Sequence, residues 1–444
     1  MKNKTVILVS PWIHDFAAYD FWIRPLGLLR VGRLLKRSGH EVHLLDLLNH
    51  EDIPEVTRSQ GRAPKRYASG RGKFYREAIP KPPPLAHIPR KFCRYGLPPW
   101  YAGRLLEEMP EPDCVLVSSL MTYWYPGVKE SIGFIRGRWP DVPVILGGIW
   151  PTLCPEHARR ESGADLVIAG RIGDNREDLS PFLDINGTGD GLEEDEDWPA
   201  LELYGRIEGL PLSTSEGCPH RCPYCASKML APRFRTREPE EVVREIIHWH
   251  QLMGAKHFTF FDDALLAEAR EHFLPLAEKI SSMGLPLGFH AVNGLHVGYI
   301  DRETAVGLRS MGVETLRLGL ESAMEQPGPG MGRKASRDSF LGALSSLEKA
   351  GYRRGEIGVY LMAGLPGQGA GEVAESIRWV TETGAAPYLS YYSPIPGTVL
   401  WEEACRVSSY PLEDDPLFQN NSILPCAWRG FTLEDLPRLK ALIH

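Results

Sequence analysis

Three cysteines, Cys218, Cys222 and Cys225, fall within eight positions of "SEGCPHRCPYCASK" (215–228). The other five (Cys93, Cys114, Cys154, Cys405, Cys426) stand singly, so the cluster does not follow from a cysteine-rich composition. Thiolates at this spacing on a tight loop can hold one corner each of a cubane iron–sulfur cluster. Such clusters usually take four cysteines, so three leave one iron with an open position. An open position on a metal is what separates a reactive centre from a structural one. Zinc is the alternative, with His220 as a fourth ligand, although the spacing is unusual for it and no second Cys/His pair lies nearby.

The chain around this loop has 444 residues, 43% of them hydrophobic and 24% charged, which is ordinary for a globular protein of two or three domains. No apolar run approaches the ~20 residues that span a bilayer. The stretch "MKNKTVILVSPWIHD" is interrupted too early for a signal peptide. Eight unpatterned cysteines do not make a disulfide framework, and a reducing cytoplasm is expected. The net charge of −7 is unevenly spread: from Arg58 to Arg94 there are eleven Lys or Arg and a single acid, Glu77. Such a run is either a solvated excursion or a surface for an anionic substrate, partner or nucleic acid. Tyr67, Phe74, Tyr75, Phe92, Tyr95, Trp100 and Tyr101 lie in or just after it, which suggests a folded lid.

Two blocks of alternating strands and helices must position the cysteines. In the first, "TVILVSP" (5–11), "HEVHLLDL" (40–47), "DCVLVSSL" (113–120), "VPVILGG" (142–148) and "ADLVIAG" (164–170) read as buried strands, with helical leucine spacing over 25–39. This pattern predicts a doubly wound, Rossmann-like parallel sheet with its ligand at the carboxyl ends of the strands. "DINGTGDGLEEDEDWPA" (184–200) reads as a boundary. Six further strands are expected near 210–215, 257–263, 287–294, 315–323, 356–367 and 387–398, which suggests a partial (β/α)6 TIM-type barrel. The cysteine loop follows the first of them, at the barrel mouth.

With Tyr224 just before its last cysteine, the Cys-x3-Cys-x2-Cys loop resembles the signature of radical S-adenosylmethionine (SAM) enzymes. The resemblance continues in order through "FFDDALL", "NGLH" (293–296), "RLGLES" (317–322), "AGLPGQ" (363–368) and "PIPGT" (394–398), over about 190 residues; only the cysteine motif is specific by itself. It implies a [4Fe–4S] cluster on Cys218, Cys222 and Cys225 and SAM chelating the fourth iron. One electron, from a donor such as flavodoxin or ferredoxin, would then cleave SAM to a 5′-deoxyadenosyl radical. It also implies that Asp262 and Asp263 receive the methionine amino group, that Asn293 or Arg317 holds the carboxylate, and that Glu321 binds the ribose. Gly364 would shape a turn near adenine. Helix capping is the alternative for the two aspartates, and an ordinary barrel-interior role for Asn293, Arg317 and Glu321.

The first block resembles the cobalamin-binding domain that precedes some of these enzymes. Ser118-Ser119-Leu120 matches its Ser-x-Leu, and Gly147-Gly148 follow 26 residues later. Its Asp-x-His-x-x-Gly element is missing, since His14 precedes Asp15, so no histidine is expected on cobalt. Tyr123, Trp124 and Tyr125 lie in the loop that would pack the lower face of the corrin; the alternative is a vestigial sheet without corrin. The expected domains are 1–190 with a basic insertion near 50–112, a linker over 191–209, a barrel over 210–400 and an extension over 401–444. The resemblance implies methyl transfer to an unactivated carbon or a radical rearrangement, with cobalamin-free chemistry on an RNA or other anionic substrate as the alternative. No motif identifies the substrate.

Overall fold

The computed structural model describes residues 3–49, 63–67, 69–185, 198–205, 207, 209–324 and 335–443; Arg58, Arg62 and most of the acidic stretch 184–200 lie outside them. The chain forms two compact units, Met1–Ile207 with Asp415–Leu417, and Glu208–Asp414 with Phe418–His444.

In the first unit the strands are β1 Thr5–Ser10, β2 Ile13–Asp15, β3 Glu41–Asp46, β4 Arg76–Ala78, β5 Cys93–Tyr95, β6 Cys114–Val117, β7 Val144–Leu146 and β8 Leu166–Val167. Five of them make a parallel sheet in the order β3-β1-β6-β7-β8. Alternate residues of β1 and β6 enter opposite cores: Val9 and Val117 pack with Val128 and Ile132, while Leu8 and Leu116 pack with Leu28 and Leu35. Apolar runs are required because both faces of the sheet are covered. The strand order reverses between β1 and β6, and the loops after those two strands flank the crevice where such sheets bind ligands.

The basic segment folds back as a three-stranded antiparallel sheet, β2-β5-β4. Strands of three residues are too short to show an alternation, and one of the three comes from residues 13–15, so the sequence did not reveal this sheet. Part of its charge is internal. Arg94 pairs with Glu77 at 2.9 Å and with Glu130, His14 pairs with Glu130, and Arg66 pairs at 2.7 Å with the buried Asp20.

In the second unit β9 Gly209–Leu212, β12 His257–Phe260, β13 Gly288–His296, β14 Val313–Glu321, β15 Ile357–Ala363 and β16 Ala386–Tyr391 form one parallel sheet in sequential order. Between β9 and β12 lies a short antiparallel pair, β10 Ser215–Glu216 and β11 Arg235–Thr236. This is the expected six-stranded partial barrel. Phe258, Phe260 and Phe289 stack across β12 and β13 with centroids 5.6 to 5.7 Å apart. The helix Pro239–Met253 starts on a proline and stops at Gly254, whose φ of 69° only glycine adopts readily. Carboxyl-terminal residues Ala404, Leu412 and Cys426 pack with Met362, Leu365 and Tyr392 near the ends of β15 and β16. Among the described residues no helix is long and apolar enough to cross a membrane.

Candidate active site

Pro211 and Leu212 close β9, and the chain then enters the cysteine loop through Thr214 and Ser215. The loop is closed at its base by the pairing of β10 with β11. Gly217 stands at the sharpest point: its φ is 75°, and a Cβ there would lie 2.4 Å from the Arg233 carbonyl. Two buried groups hold this base. Arg237 donates to the Ser213 carbonyl at 2.8 Å and to Glu245 at 2.6 Å. The Asp262 carboxylate, 3% exposed, accepts from the Thr214 amide (3.0 Å), the Thr214 hydroxyl (2.8 Å) and the Ser215 hydroxyl (2.6 Å). His272 Nε2 lies 2.9 Å from the same Thr214 hydroxyl.

Beyond this base Cys218, Cys222 and Cys225, none of them in a disulfide, all line one cavity of about 380 Å³ at the carboxyl ends of the strands. The volume lies within the range of small-ligand sites. Burial raises the Cys218 thiol pKa, with the Asp263 carboxylate and the other two thiols adding to it. Three thiols lining one cavity are the donor set of an iron–sulfur corner. His220 also lines the cavity, with its ring stacked on His296 at 4.6 Å and 11°.

Two β-bulges shape the opposite wall. Between Ala291 and Leu295 the register of β13 against β14 shifts, and between Gly319 and Glu321 that of β14 against β15. Bulges at strand ends re-aim side chains. Here they accompany Asn293 and Glu321, both of which line the cavity. Glu321 sits at φ 68°, a left-handed conformation uncommon for glutamate and found preferentially at functional sites. Asn293 Nδ2 donates to the Asp262 carbonyl at 3.0 Å. Tyr224 also lines the cavity, and burial drives its phenol pKa well up, reinforced by the Glu321 charge. Asp263 faces the cavity, and desolvation raises its pKa in spite of a hydrogen bond from Ser227.

The structure corrects several expectations. Asp262 lines the cavity and also holds the loop: its Oδ1 accepts from Thr214 and Ser215, while Oδ2 takes only a 3.2 Å share of the Thr214 amide. Neither aspartate caps a helix; the first helical turn after them begins at Ala269. Arg317 does not line the cavity. It lies four residues, about 13 Å, back along its strand from Glu321. Its guanidinium donates to the Leu316 carbonyl at 2.9 Å and sits 4.4 Å from the Tyr388 ring centroid. Gly364, at φ 88°, makes a turn whose amide is held by Gln368 at 2.8 Å, and it too lies outside the cavity lining. Tyr360, Met362 and Ser390 also line the cavity, although no sequence motif marks them. For the first two, alternation along β15 was an available signal.

In the first unit Ser119 and Gly148 are one construction. Ser119 Oγ donates to the Gly147 carbonyl at 3.0 Å and accepts the Trp150 amide at 3.1 Å. A Cβ on Gly148 would lie 2.4 Å from the Ser119 carbonyl, and its φ is 100°. Gly147 differs: a Cβ there would meet nothing within 4 Å. The pair therefore has one glycine required by folding and one facing open space. Ser118 and Leu120, the matched positions of Ser-x-Leu, are half-buried, and the middle residue does the clamping. Tyr123 and Trp124, expected at the lower face of a corrin, are 3% and 9% exposed. Both lie in a core with Ile13, Phe74 and Tyr95, and the Trp124 indole donates to Asp15 at 2.7 Å.

Residues 212–380 match the Radical SAM superfamily and residues 104–179 the B12 binding domain. The chain is a radical SAM enzyme with a B12-binding domain. Together the two domains imply a [4Fe–4S] cluster, SAM and cobalamin as its cofactors, and an electron donor for the cluster. An uncharacterized methyltransferase of Pyrococcus horikoshii is 25% identical over 360 residues, 73% of each chain. Cytidylyl-2-hydroxyethylphosphonate methyltransferase of Streptomyces wedmorensis is 21% identical over 91% of this chain and 82% of that one. The radical SAM methyltransferase TsrM from Kitasatospora setae, solved with cobalamin and a [4Fe–4S] cluster, shares the fold with a TM-score of 0.66. That alignment has 17% identity and covers all of this chain and 91% of TsrM.

Proposed function

We propose that this enzyme transfers a methyl group to an unactivated carbon, with Cys218, Cys222 and Cys225 holding the cluster and the loops after β1, β6 and β7 holding cobalamin. The observation that carries this reading is the combination in one chain of a three-thiol cavity at a barrel mouth with a sheet whose Gly147 faces open space. The methyltransferase relatives support the choice of methyl transfer over rearrangement. When bound, the cluster supplies an electron to cleave SAM, and cobalamin supplies a carrier for the methyl group. The chain's own contributions are positional. Asn293, Asp263 and Glu321 offer polar groups to the amino acid and ribose ends of SAM. The Tyr224 ring, pinned near Glu321, closes the cavity beside the cluster. Thr214, Ser215 and Asp262 fix the loop on which the thiols stand.

Corrinoid retention tests the cobalamin half. Protein supplied with hydroxocobalamin during refolding should keep about one corrinoid per chain. Gly147→Trp should lose it by filling the open side of the crevice, and His14→Ala should leave the cobalt spectrum unchanged because His14 is engaged with Glu130. Wild-type protein that keeps no corrinoid would leave the radical chemistry standing without a methyl carrier. A cytoplasmic location and a flavodoxin or ferredoxin as reductant belong to the same proposal.

A further inference from the structure

At the end of the barrel away from the thiols, three ligand-type side chains converge. His257 opens β12, His290 is the third residue of β13, and Glu314 is the second of β14. One ligand atom from each lies within 4.8 Å of the others. His257 Nδ1 and His290 Nε2 are 3.2 Å apart. Two imidazole nitrogens each bound at ~2.0–2.1 Å to one tetrahedral ion would stand about 3.3 Å apart.

Three local features serve this convergence. The register of β13 with β14 jumps from Phe289↔Val313 to His290↔Thr315, so Glu314 is the extra residue of a bulge. A bulge re-aims a side chain that strict alternation would send to the other face. Position 288 is glycine, and a Cβ there would lie 2.6 Å from Glu314 Oε1 and 2.8 Å from His257 Nδ1. Any other residue would occupy the space in which the carboxylate and the imidazole meet. Lastly, His290 is 1% exposed and its Nδ1 lies 3.0 Å from the Thr315 hydroxyl. A hydrogen bond on one ring nitrogen is the usual means of orienting the other toward a metal. In register beside His290, the buried Thr259 hydroxyl has no hydrogen-bond partner among the described residues.

We propose that His257, His290 and Glu314 form a second metal site, structural in role, that takes a divalent transition ion such as zinc and ties together the amino-terminal ends of β12, β13 and β14. Two imidazoles and one carboxylate are a zinc donor set, with a water completing the tetrahedron on the side where Glu314 is exposed; this coordination is commoner at catalytic zinc, and the structural role is assigned from the position of the site. The site lies at the barrel end where side chains serve stability rather than chemistry. It stands independently of the methyl-transfer reading.

The test is equilibrium dialysis of the full chain, with its iron–sulfur cluster reconstituted so that the three cysteines are occupied, against zinc sulfate, followed by elemental analysis. Wild-type protein should hold one zinc per chain beyond its iron. His257→Gln and Glu314→Gln, at partly exposed and exposed positions, should weaken zinc retention at least about tenfold with iron content unchanged. Thr315→Val, which keeps all three ligands, should weaken it about tenfold through the orienting bond. Wild-type protein that holds no zinc, or variants that hold as much as wild type, would overturn the proposal and leave a hydrogen-bonded His–His–Glu chain. Should a glutamine variant lose iron through misfolding, Thr315→Val with intact iron and undiminished zinc overturns it equally.

Discussion

Replacing Asp262 with alanine separates a loop-positioning role from a SAM-binding one. In the structure its carboxylate accepts from three donors, the Thr214 amide and the Thr214 and Ser215 hydroxyls, at 2.6 to 3.0 Å, and the side chain is 3% exposed. A hydrogen bond to a charged group contributes about 1.5–3 kcal/mol, and a buried donor left without its acceptor costs about 1–3 kcal/mol. Some of the three donors will find water in the space vacated, so the full sum is not reached, and a loss of about 3–5 kcal/mol is expected. For a unit of this size each kcal/mol shifts Tm by about 2–4 °C, which gives a fall of about 6–20 °C. The assay is thermal unfolding of cluster-free protein followed by near-ultraviolet circular dichroism, with iron content after reconstitution as the second readout. Asp262→Ala should melt early and retain less iron, because the base of the cysteine loop is released. An unchanged Tm with full iron and weaker SAM binding would refute the reasoning and return Asp262 to the ligand.

Glu321→Gln should weaken SAM binding by roughly 5- to 150-fold, the equivalent of about 1–3 kcal/mol, while iron content stays at the wild-type level; equilibrium binding measured alongside iron analysis checks it. Asp263→Asn should raise the Tm of the cluster-free protein at neutral pH. The folded-state pKa of Asp263 is raised by desolvation, so its contribution to stability is present below the unfolded carboxylate pKa and is lost as pH rises through the folded value. The gain on substitution should therefore vanish in acid, which a Tm-against-pH series reads directly. Gly148→Ala should destabilise the first unit even without corrinoid, because its Cβ has no room beside the Ser119 carbonyl.

Much of the barrel, and the cavity on which three of its cysteines meet, was legible in the sequence, because strands buried on both faces read as apolar runs and three cysteines in eight positions have few uses. Burial of individual side chains was less so. Tyr123 and Trp124 lie in the loop expected to face a corrin, yet their rings fill a core completed by Phe74 and Tyr95 from the basic segment. That packing depends on a small sheet whose strands are three residues long. Arg317 and Glu321 share a strand and the RLGLES motif, but a bulge and about 13 Å of strand separate a barrel-interior arginine from a cavity-lining glutamate. Asp262 and Asp263 are adjacent, chemically alike and both in the cavity lining; only the hydrogen bonds show that Asp262 also holds the cysteine loop. The bulge at Glu314 likewise has no sequence signal beyond a glycine at 288.

In the proposed reaction SAM serves one chain both as radical source and as methyl donor, and product analysis reads both uses at once. Protein reconstituted with iron, sulfide and hydroxocobalamin would be incubated anaerobically with methyl-deuterated SAM and a strong one-electron reductant, and the nucleosides and corrinoid quantified by mass spectrometry. The expected products are 5′-deoxyadenosine together with S-adenosylhomocysteine, with deuterated methyl recovered on the bound corrinoid, and Cys222→Ala should abolish 5′-deoxyadenosine. 5′-Deoxyadenosine without S-adenosylhomocysteine or label on the corrinoid would rule out methyl transfer, and iron-loaded protein that forms neither product would rule out the radical chemistry as well.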